Sequence, residues 1–321
     1  MPAKSDLDGP YGILEISSNT VHFSVFFPDQ NITSMIDEKL KCGLGNYPAG
    51  TQDLNPEGVE KALDAIDTYK RNFMDHMNFK GFAAIGTGAM RDADDAPKFA
   101  RALRDQYGIE LDVISGEDEG YYAALGVMSA FDGANGIMFD QGGRSTEFAI
   151  IKDGRITDCV SLPLGTFTIG EQKDPVKYIK KQLKTLPDAY REDGFENLYV
   201  VGGSPRRIMK SHRKRETGLG GSVHGYSVPA DEVKKLSKQV VGASRDELLE
   251  EFHISKKRVS LVPAAAQLMR QICKKMDIGN IVASEHGLRH GVVHEMAVGN
   301  DADARMDFVH DRTRYLHAVN E

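Results

Sequence analysis

The sequence predicts an α/β protein of two lobes of like topology, each built around its own mixed sheet. Two internal repeats predict it, together with the amphipathic helices between them. Residues 12–26 (GILEISSNTVHFSVF) and 137–151 (IMFDQGGRSTEFAII) align with Glu15 on Asp140, Ser17-Ser18 on Gly142-Gly143, Thr20 on Ser145, Phe23 on Phe148 and Val25 on Ile150. Each copy reads as an apolar strand, an acid, a small-residue turn and an alternating strand, which is a β-hairpin with a carboxylate ending its first strand. Residues 82–88 (FAAIGTG) and 198–204 (LYVVGGS) repeat in the same order, each a short buried strand running into a glycine turn. One hairpin match alone is weak, whereas two pairs in the same order indicate duplication.

The elements between these landmarks follow. Val59, Leu63, Ile66, Phe73 and Met77 fall near helical spacing over 57–78, behind the start signal Asn55-Pro56. Pro97 opens a helix over 97–107, since proline suits a first helical turn. Glu117, Asp118 and Glu119 open a helix over 117–130, where acids complement the positive end of the helix dipole. Amphipathic patterns over 230–252 and 259–276 predict two helices in the second lobe, and the polar tail from about Asn300 reads as a short closing helix. The turn-rich stretch 131–136 (FDGANG) divides the chain into lobes 1–132 and 133–321.

Composition narrows the function classes. A chain of 321 residues with 40% hydrophobic and 27% charged residues can fill two cores and is neither disordered nor a disulfide scaffold. No apolar run approaches the roughly 20 residues that cross a bilayer, and the first ten residues lack a signal-peptide stretch. Cys42, Cys159 and Cys273 are too scattered for a disulfide framework or a metal knuckle, so a reducing cytoplasm is the expected location. A net charge of −7 gives no overall attraction to nucleic acid or acidic membranes. One stretch runs against that balance: Arg206, Arg207, Lys210, His212, Arg213, Lys214 and Arg215 crowd together, either as a solvated face or as an anion-steering patch.

Candidate chemistry lies at the turns. Small residues after a buried strand leave successive backbone N–H groups open to phosphate oxygens. Ser17, Ser18, Asn19 and Thr20 form one such turn, Gly142, Gly143, Arg144 and Ser145 the other, and Gly203 with Ser204 could present further amides. The two hairpin turns would face each other if the lobes pack with like ends together. Glu15 and Asp140, beside them, would repel a phosphate unless a hard cation such as Mg²⁺ bridges, or unless they bond the turns' own amides. Glu119 sits where a strand passes into a helix, placed either to take a proton from an attacking water or, with Glu117 and Asp118, to cap that helix. Arg91, behind GTGAM, is a candidate phosphate clamp or a surface partner of Asp92 or Asp94.

These residues together resemble the exopolyphosphatase/guanosine pentaphosphate phosphohydrolase family, in its short form without an additional C-terminal helical domain, from about Gly12 to about Val293. ISGEDEGY (114–121) resembles the family's I-S-G-x-E-E-A-R element, and FDQGGRSTEF (139–148) its D-I-G-G-G-S-T-E element, followed by SLPLG (161–165). GTGAMRDADD resembles the T-x-x-x-R-x-A segment, and HGY (224–226) and GLRHG (287–291) resemble later landmarks.

The resemblance implies an actin-like (ribonuclease H-like) fold with duplicated mixed sheets and an interlobe cleft. It implies hydrolysis of the terminal phosphoanhydride bond of inorganic polyphosphate, or of the 5′-γ-phosphate of guanosine pentaphosphate. Glu119 then falls on the catalytic base, Asp140 on the acid associated with Mg²⁺ and catalysis, and Arg91 on a phosphate-contacting arginine. A homodimer is also implied. The basic run favours long polyphosphate, because a long polyanion needs cations beyond the reacting end.

Six departures alter the pattern. Glu15 and Ser17 replace an aspartate and a glycine, and Gln141 and Arg144 replace an isoleucine and a third glycine. Asp118 stands for the first glutamate of the E-E pair, and Gly202-Gly203-Ser204-Pro205 replaces a threonine/serine-rich turn. A sensing protein without turnover is therefore the alternative from a different class.

Overall fold

The computed structural model describes residues 9–27, 32–191 and 194–298. The tail expected from about Asn300 lies outside them. The chain divides into two compact units: the described residues up to Glu119 together with those from Val292 on, and Gly120–Gly291.

The first unit carries β1 (Tyr11–Ile16), β2 (Thr20–Phe27), β3 (Thr33–Lys41), α1 (Pro56–Asn72), β4 (Gly81–Gly86), α2 (Ala89–Asp92), α3 (Ala96–Tyr107) and β5 (Leu111–Val113). Among the described residues these strands form one sheet in the order β3-β2-β1-β4-β5. β1 is antiparallel to β2, with Leu14 opposite Phe23, and parallel to β4, with Ile16 opposite Gly86. Leu14, Ile16, Phe23 and Val25 bury one core with Ile66 and Leu103 from the helices, and Phe23 stacks on Tyr69 and Phe73.

α4 (Gly116–Ala130) begins in the first unit and continues into the second. The second unit then follows with β6 (Gly136–Gln141), β7 (Thr146–Lys152), β8 (Arg155–Leu162), α5 (Thr166–Gly170), α6 (Pro175–Leu183), β9 (Phe195–Val201) and α7 (Gly203–Thr217). It closes with β10 (Ser227–Pro229), α8 (Ala230–Gly242), α9 (Arg245–Glu250), α10 (Val262–Lys275), β11 (Ile278–Ala283) and α11 (Leu288–Val298), whose last residues rejoin the first unit. Its sheet runs β8-β7-β6-β9-β11-β10, so the first five strands repeat the order of the other sheet, with β10 added at the edge.

The duplication read from sequence holds to the residue. Phe139 faces Phe148 as Leu14 faces Phe23, and Asp140 faces Glu147 as Glu15 faces His22. Both arrangements follow from hairpins whose first strand also pairs in parallel with the strand before a glycine turn.

Helix starts agree with their capping chemistry. Asn55 accepts from the Glu57 amide at the start of α1, and Asp174 accepts from Lys177 at the start of α6. Three helices are shorter than their apolar patterns. α1 stops at Asn72, where Phe73 leaves helical dihedrals and a 3₁₀ turn, Met74–His76, continues the apolar face. The stretch 230–252 is broken at Ala243, because Ser244 and Glu247 form a capping box that starts α9 afresh. The predicted helix from 259 begins at Val262, with Pro263 in its first turn.

Candidate active site

The acid-ended hairpin turns are held by their carbonyl groups. In the first unit the amides of Cys42 and Gly43 donate to the carbonyl of Asn19, and that of Gly45 to Ser18. A trans peptide points its C=O and the next N–H in opposite directions, so the amides of Asn19 and Thr20 face away from that support. Ser17 bonds Thr20 within the turn, through its amide at 2.9 Å and its hydroxyl at 3.2 Å. Its φ is not positive, so serine takes the place of a glycine without backbone strain. The Ser18 hydroxyl is buried and accepts from the Ala89 amide at 2.9 Å. It therefore positions the start of α2 rather than opening toward a ligand.

α2 carries Arg91 to Glu119. The guanidinium donates to Oε2 of Glu119 at 2.7 Å and to the Ile114 carbonyl at 3.0 Å, with side-chain exposures of 21% for Arg91 and 20% for Glu119. Burial lifts Glu119 above the ordinary carboxylate range, Arg91 pulls it back, and Glu15 and Asp92 push it up further. The neighbouring acids divide the work: Asp118 exchanges hydrogen bonds with Ser115 and caps α4, leaving Glu119 to face the arginine.

The second unit's turn is gripped more fully. The carbonyls of Gly142, Gly143 and Arg144 accept from the amides of Thr166, Phe167 and Gly165, and Thr168 Oγ1 also donates to Arg144. By the same peptide geometry the amides of Gly143, Arg144 and Ser145 point together, away from that segment, as an anion-binding nest requires. Gln141 explains its own departure: it is buried and donates to the Leu164 carbonyl at 3.0 Å, beside Thr146 Oγ1 at 2.8 Å. Arg144 has no positive φ, and its guanidinium turns to the carboxylate of Glu171 at 3.1 and 3.2 Å. Its backbone belongs to the nest while its side chain serves the end of α5.

Asp140, one residue before the end of β6, lies beside glycine backbone. A Cβ on Gly202, whose φ is +82°, would lie 2.9 Å from Oδ1 of Asp140 and 2.6 Å from the Gln141 carbonyl, so the Gly202–Ser204 loop can approach only because residue 202 is glycine. Gly287 is the second neighbour, its Cβ position 3.8 Å from Oδ2. Gly203 and Ser204 open α7, where first-turn amides lack intrahelical acceptors. Pro205, in that first turn, removes one of them.

Three contributors escaped the sequence reading. Arg258 donates to the buried hydroxyl of Ser204 at 3.2 Å and lies against Gly203. Glu147, buried opposite Asp140 on the same face, accepts from Ser161 at 2.9 Å. Gly287 seats Asp140. Glu147 and Gly287 lay within the quoted motifs, but a lone arginine at 258 carries no local signal.

A column of rings flanks this loop. Phe131 stacks on His224, His224 contacts His286, and His286 stacks on His290 at 4.0 Å. His286 Nδ1 is buried without a hydrogen-bond partner, and burial, then His224, pull its pKa down to about 4. A histidine depressed in the fold is neutral there, so its contribution is complete above the unfolded value near 6.5 and is lost as pH falls toward 4. The loss is at most about 3 kcal/mol at 1.36 kcal/mol per pH unit, and less with solvent screening. His286→Gln should flatten the fall in thermal midpoint between pH 7 and pH 4.5, and an unchanged fall would exclude this histidine.

A model described as the Ppx/GppA phosphatase family matches residues 25–299. The chain belongs to this family. Among similar curated proteins, the guanosine-5′-triphosphate,3′-diphosphate pyrophosphatase of Photobacterium profundum is 21% identical over 300 residues, covering 89% of this chain and 59% of the relative. Retrograde regulation protein 2 of Saccharomyces cerevisiae is 25% identical over 326 residues, covering 89% and 55%. This Ppx/GppA chain thus spans less than two thirds of those relatives' length.

Its fold is shared with the crystal structure of an exopolyphosphatase from Cytophaga hutchinsonii, at TM-score 0.78 and 22% identity over 90% of this chain and 98% of the other. It is shared equally with a Ppx/GppA family member from Aquifex aeolicus, at TM-score 0.76 and 20% identity over 89% and 96%. The duplicated sheet order agrees with the α/β class of two like mixed sheets read from the sequence. No helix among the described residues is long and apolar enough to cross a membrane.

Proposed function

We propose that this chain hydrolyses the terminal phosphoanhydride bond of inorganic polyphosphate, releasing orthophosphate, with Glu119 as the base for the attacking water. The observation that carries the reading is the Arg91–Glu119 pair: a part-buried carboxylate of raised proton affinity, at the end of this chain's I-S-G-E-D-E stretch and held 2.7 Å from a cation. A base lifted toward neutrality accepts a proton more readily in the transition state, and Arg91 can pass from the carboxylate to a phosphate oxygen. The amides of Gly143, Arg144 and Ser145 supply fixed positive dipoles for a phosphate, with Ser204 and Gly203 beside them. Phosphoryl transfer depends mostly on such positioning and charge neutralisation.

Mg²⁺ fits the donor set. Asp140 offers hard carboxylate oxygen beside the backbone of Gly202 and Gly287, and Glu15 is the corresponding acid of the first unit's hairpin. Among the described residues no set of three His, Cys, Asp or Glu side chains forms a closed metal cage, and Mg²⁺ is ordinarily held by one or two carboxylates with substrate phosphates and water. When bound it would neutralise charge on the phosphate oxygens.

The test is phosphate release with Mg²⁺ from long-chain polyphosphate against guanosine pentaphosphate. Release from polyphosphate that disappears in Glu119→Ala supports the reading, and release confined to guanosine pentaphosphate transfers it to the nucleotide. A sensing role is the second reading, favoured by the diversion of Arg144 onto Glu171 and by a yeast relative named as a regulation protein. Tight polyphosphate binding with no release from either substrate would establish it.

A further inference from the structure

The basic run at 206–215 is sorted by α7 into different surroundings. His212 is buried, bonded through Nδ1 to the Tyr226 hydroxyl and 3.4 Å from Glu232. Arg215 lies over the Phe252 ring at 4.7 Å and bonds Gln239. Arg206 folds back onto the Gly202 carbonyl at 3.1 Å. The remaining four, Arg207, Lys210, Arg213 and Lys214, recur every three or four residues, which places them along one helix face. They line a hollow of about 230 Å³ with His253 and the glycine-rich loop that follows α7.

No acidic side chain lines that hollow. Lys210 lies 3.5 Å from Glu285, while among the described residues Arg207, Arg213 and Lys214 are paired with no carboxylate. Arg213 donates to the Ser222 carbonyl, and Lys214 to the Gly218 carbonyl at 2.6 Å. These acceptors satisfy hydrogen bonds but neutralise no charge, so the positive potential remains for a ligand. The facing wall is open backbone, with nothing within 4 Å of a Cβ at Gly220 or Gly221. The line of cations also continues toward the candidate site: Arg258, against Gly203, is close enough to Arg206 and Arg207 for their charges to lower its proton affinity, after burial. From Ser204 to Lys214 the helix spans about 15 Å, so the hollow extends the Gly202–Ser204 loop outward.

We infer that this hollow binds a linear anion of linked phosphates, as a distal subsite for the part of a polyphosphate chain remote from the reacting end. The inference rests on the polyphosphate reading. A small basin of guanidinium and ammonium groups suits bare phosphates, whereas a nucleic-acid strand would bring a base at every phosphate, for which His253 is the single ring in the lining.

The test removes the charge with Arg207→Gln/Arg213→Gln/Lys214→Gln in the full chain. In phosphate-release assays KM for long-chain polyphosphate should rise about tenfold or more with kcat retained, and KM for tripolyphosphate should change less than about twofold. The companion Arg207→Lys/Arg213→Lys keeps the charge and should behave as wild type, so a failure of folding is separable from a loss of charge. Equal effects on long and short chains would overturn the inference. Binding of long-chain polyphosphate to Glu119→Gln, with and without the triple change, decides the matter even if the wild type releases no phosphate. Loss of binding supports the subsite while the hydrolase reading fails, and unchanged binding, or equal competition by single-stranded nucleic acid, overturns it.

Discussion

Glu119→Gln should lower phosphate release from long-chain polyphosphate by about 10²–10⁴-fold, the range that a general base contributes, while leaving the thermal midpoint nearly unchanged. The amide keeps the shape of the side chain but cannot accept the proton of an attacking water. Arg91 retains its bond to the Ile114 carbonyl at 3.0 Å, and Glu15 and Asp92 remain close enough to act on the same spot. Breaking a buried ion pair is costly when a charge is left alone, but here other carboxylates compensate, so the stability change should stay within about 1 kcal/mol.

The pH dependence provides a second readout. The base works ionised, and burial, Glu15 and Asp92 together raise its pKa above the ordinary value of 4.5 despite Arg91. The acid limb of kcat/KM should therefore lie above 4.5 in the wild type and vanish with Glu119→Gln. Full activity in the variant would remove Glu119 from the mechanism.

Gly291→Ala should destabilise the protein by about 3 kcal/mol or more, at the upper end of what overpacking costs. A Cβ there would lie 1.9 Å from the Tyr122 carbonyl oxygen and 3.0 Å from the Gly126 amide nitrogen, while one on Gly126 would lie 2.2 Å from the Gly287 carbonyl oxygen. α4 and α11 thus touch backbone to backbone, and no side chain can rotate to make room. A loss of that size lowers the melting temperature by about 6–12 °C for a domain of this class. Activity should fall with it, because Gly287 in the same contact is one of the neighbours of Asp140. Gly242→Ala, with nothing within 4 Å of its Cβ position, is the control and should be neutral or slightly stabilising. Matching melting temperatures for the two variants would show that the helices adjust more easily than their geometry implies.

The duplicated hairpins were legible because each carries its signal within a few consecutive residues. Apolar alternation, an acid and a small-residue turn lie together in 12–26 and again in 137–151, and the strand pairing reproduces the alignment. The pairing of Arg91 with Glu119 was half legible: each residue stood out at its own turn, but only the folded chain joins them across 28 positions. At Ser17 and Arg144, where the family pattern has glycine, neither residue has positive φ, so the side chains bring no backbone strain.

By itself, then, the sequence determined the α/β class, the repeat, the family and the acids that end the first strands, because all of these are written in local periodicity and short motifs. Only the tertiary structure decided that Arg258 reaches Ser204, that the Ser18 hydroxyl supports α2, that Arg144 is committed to Glu171 and that four cations of the basic run share one hollow. Side-chain direction and partnership depend on residues far away in the chain, and an isolated arginine or serine carries no local pattern that specifies which of them it will meet.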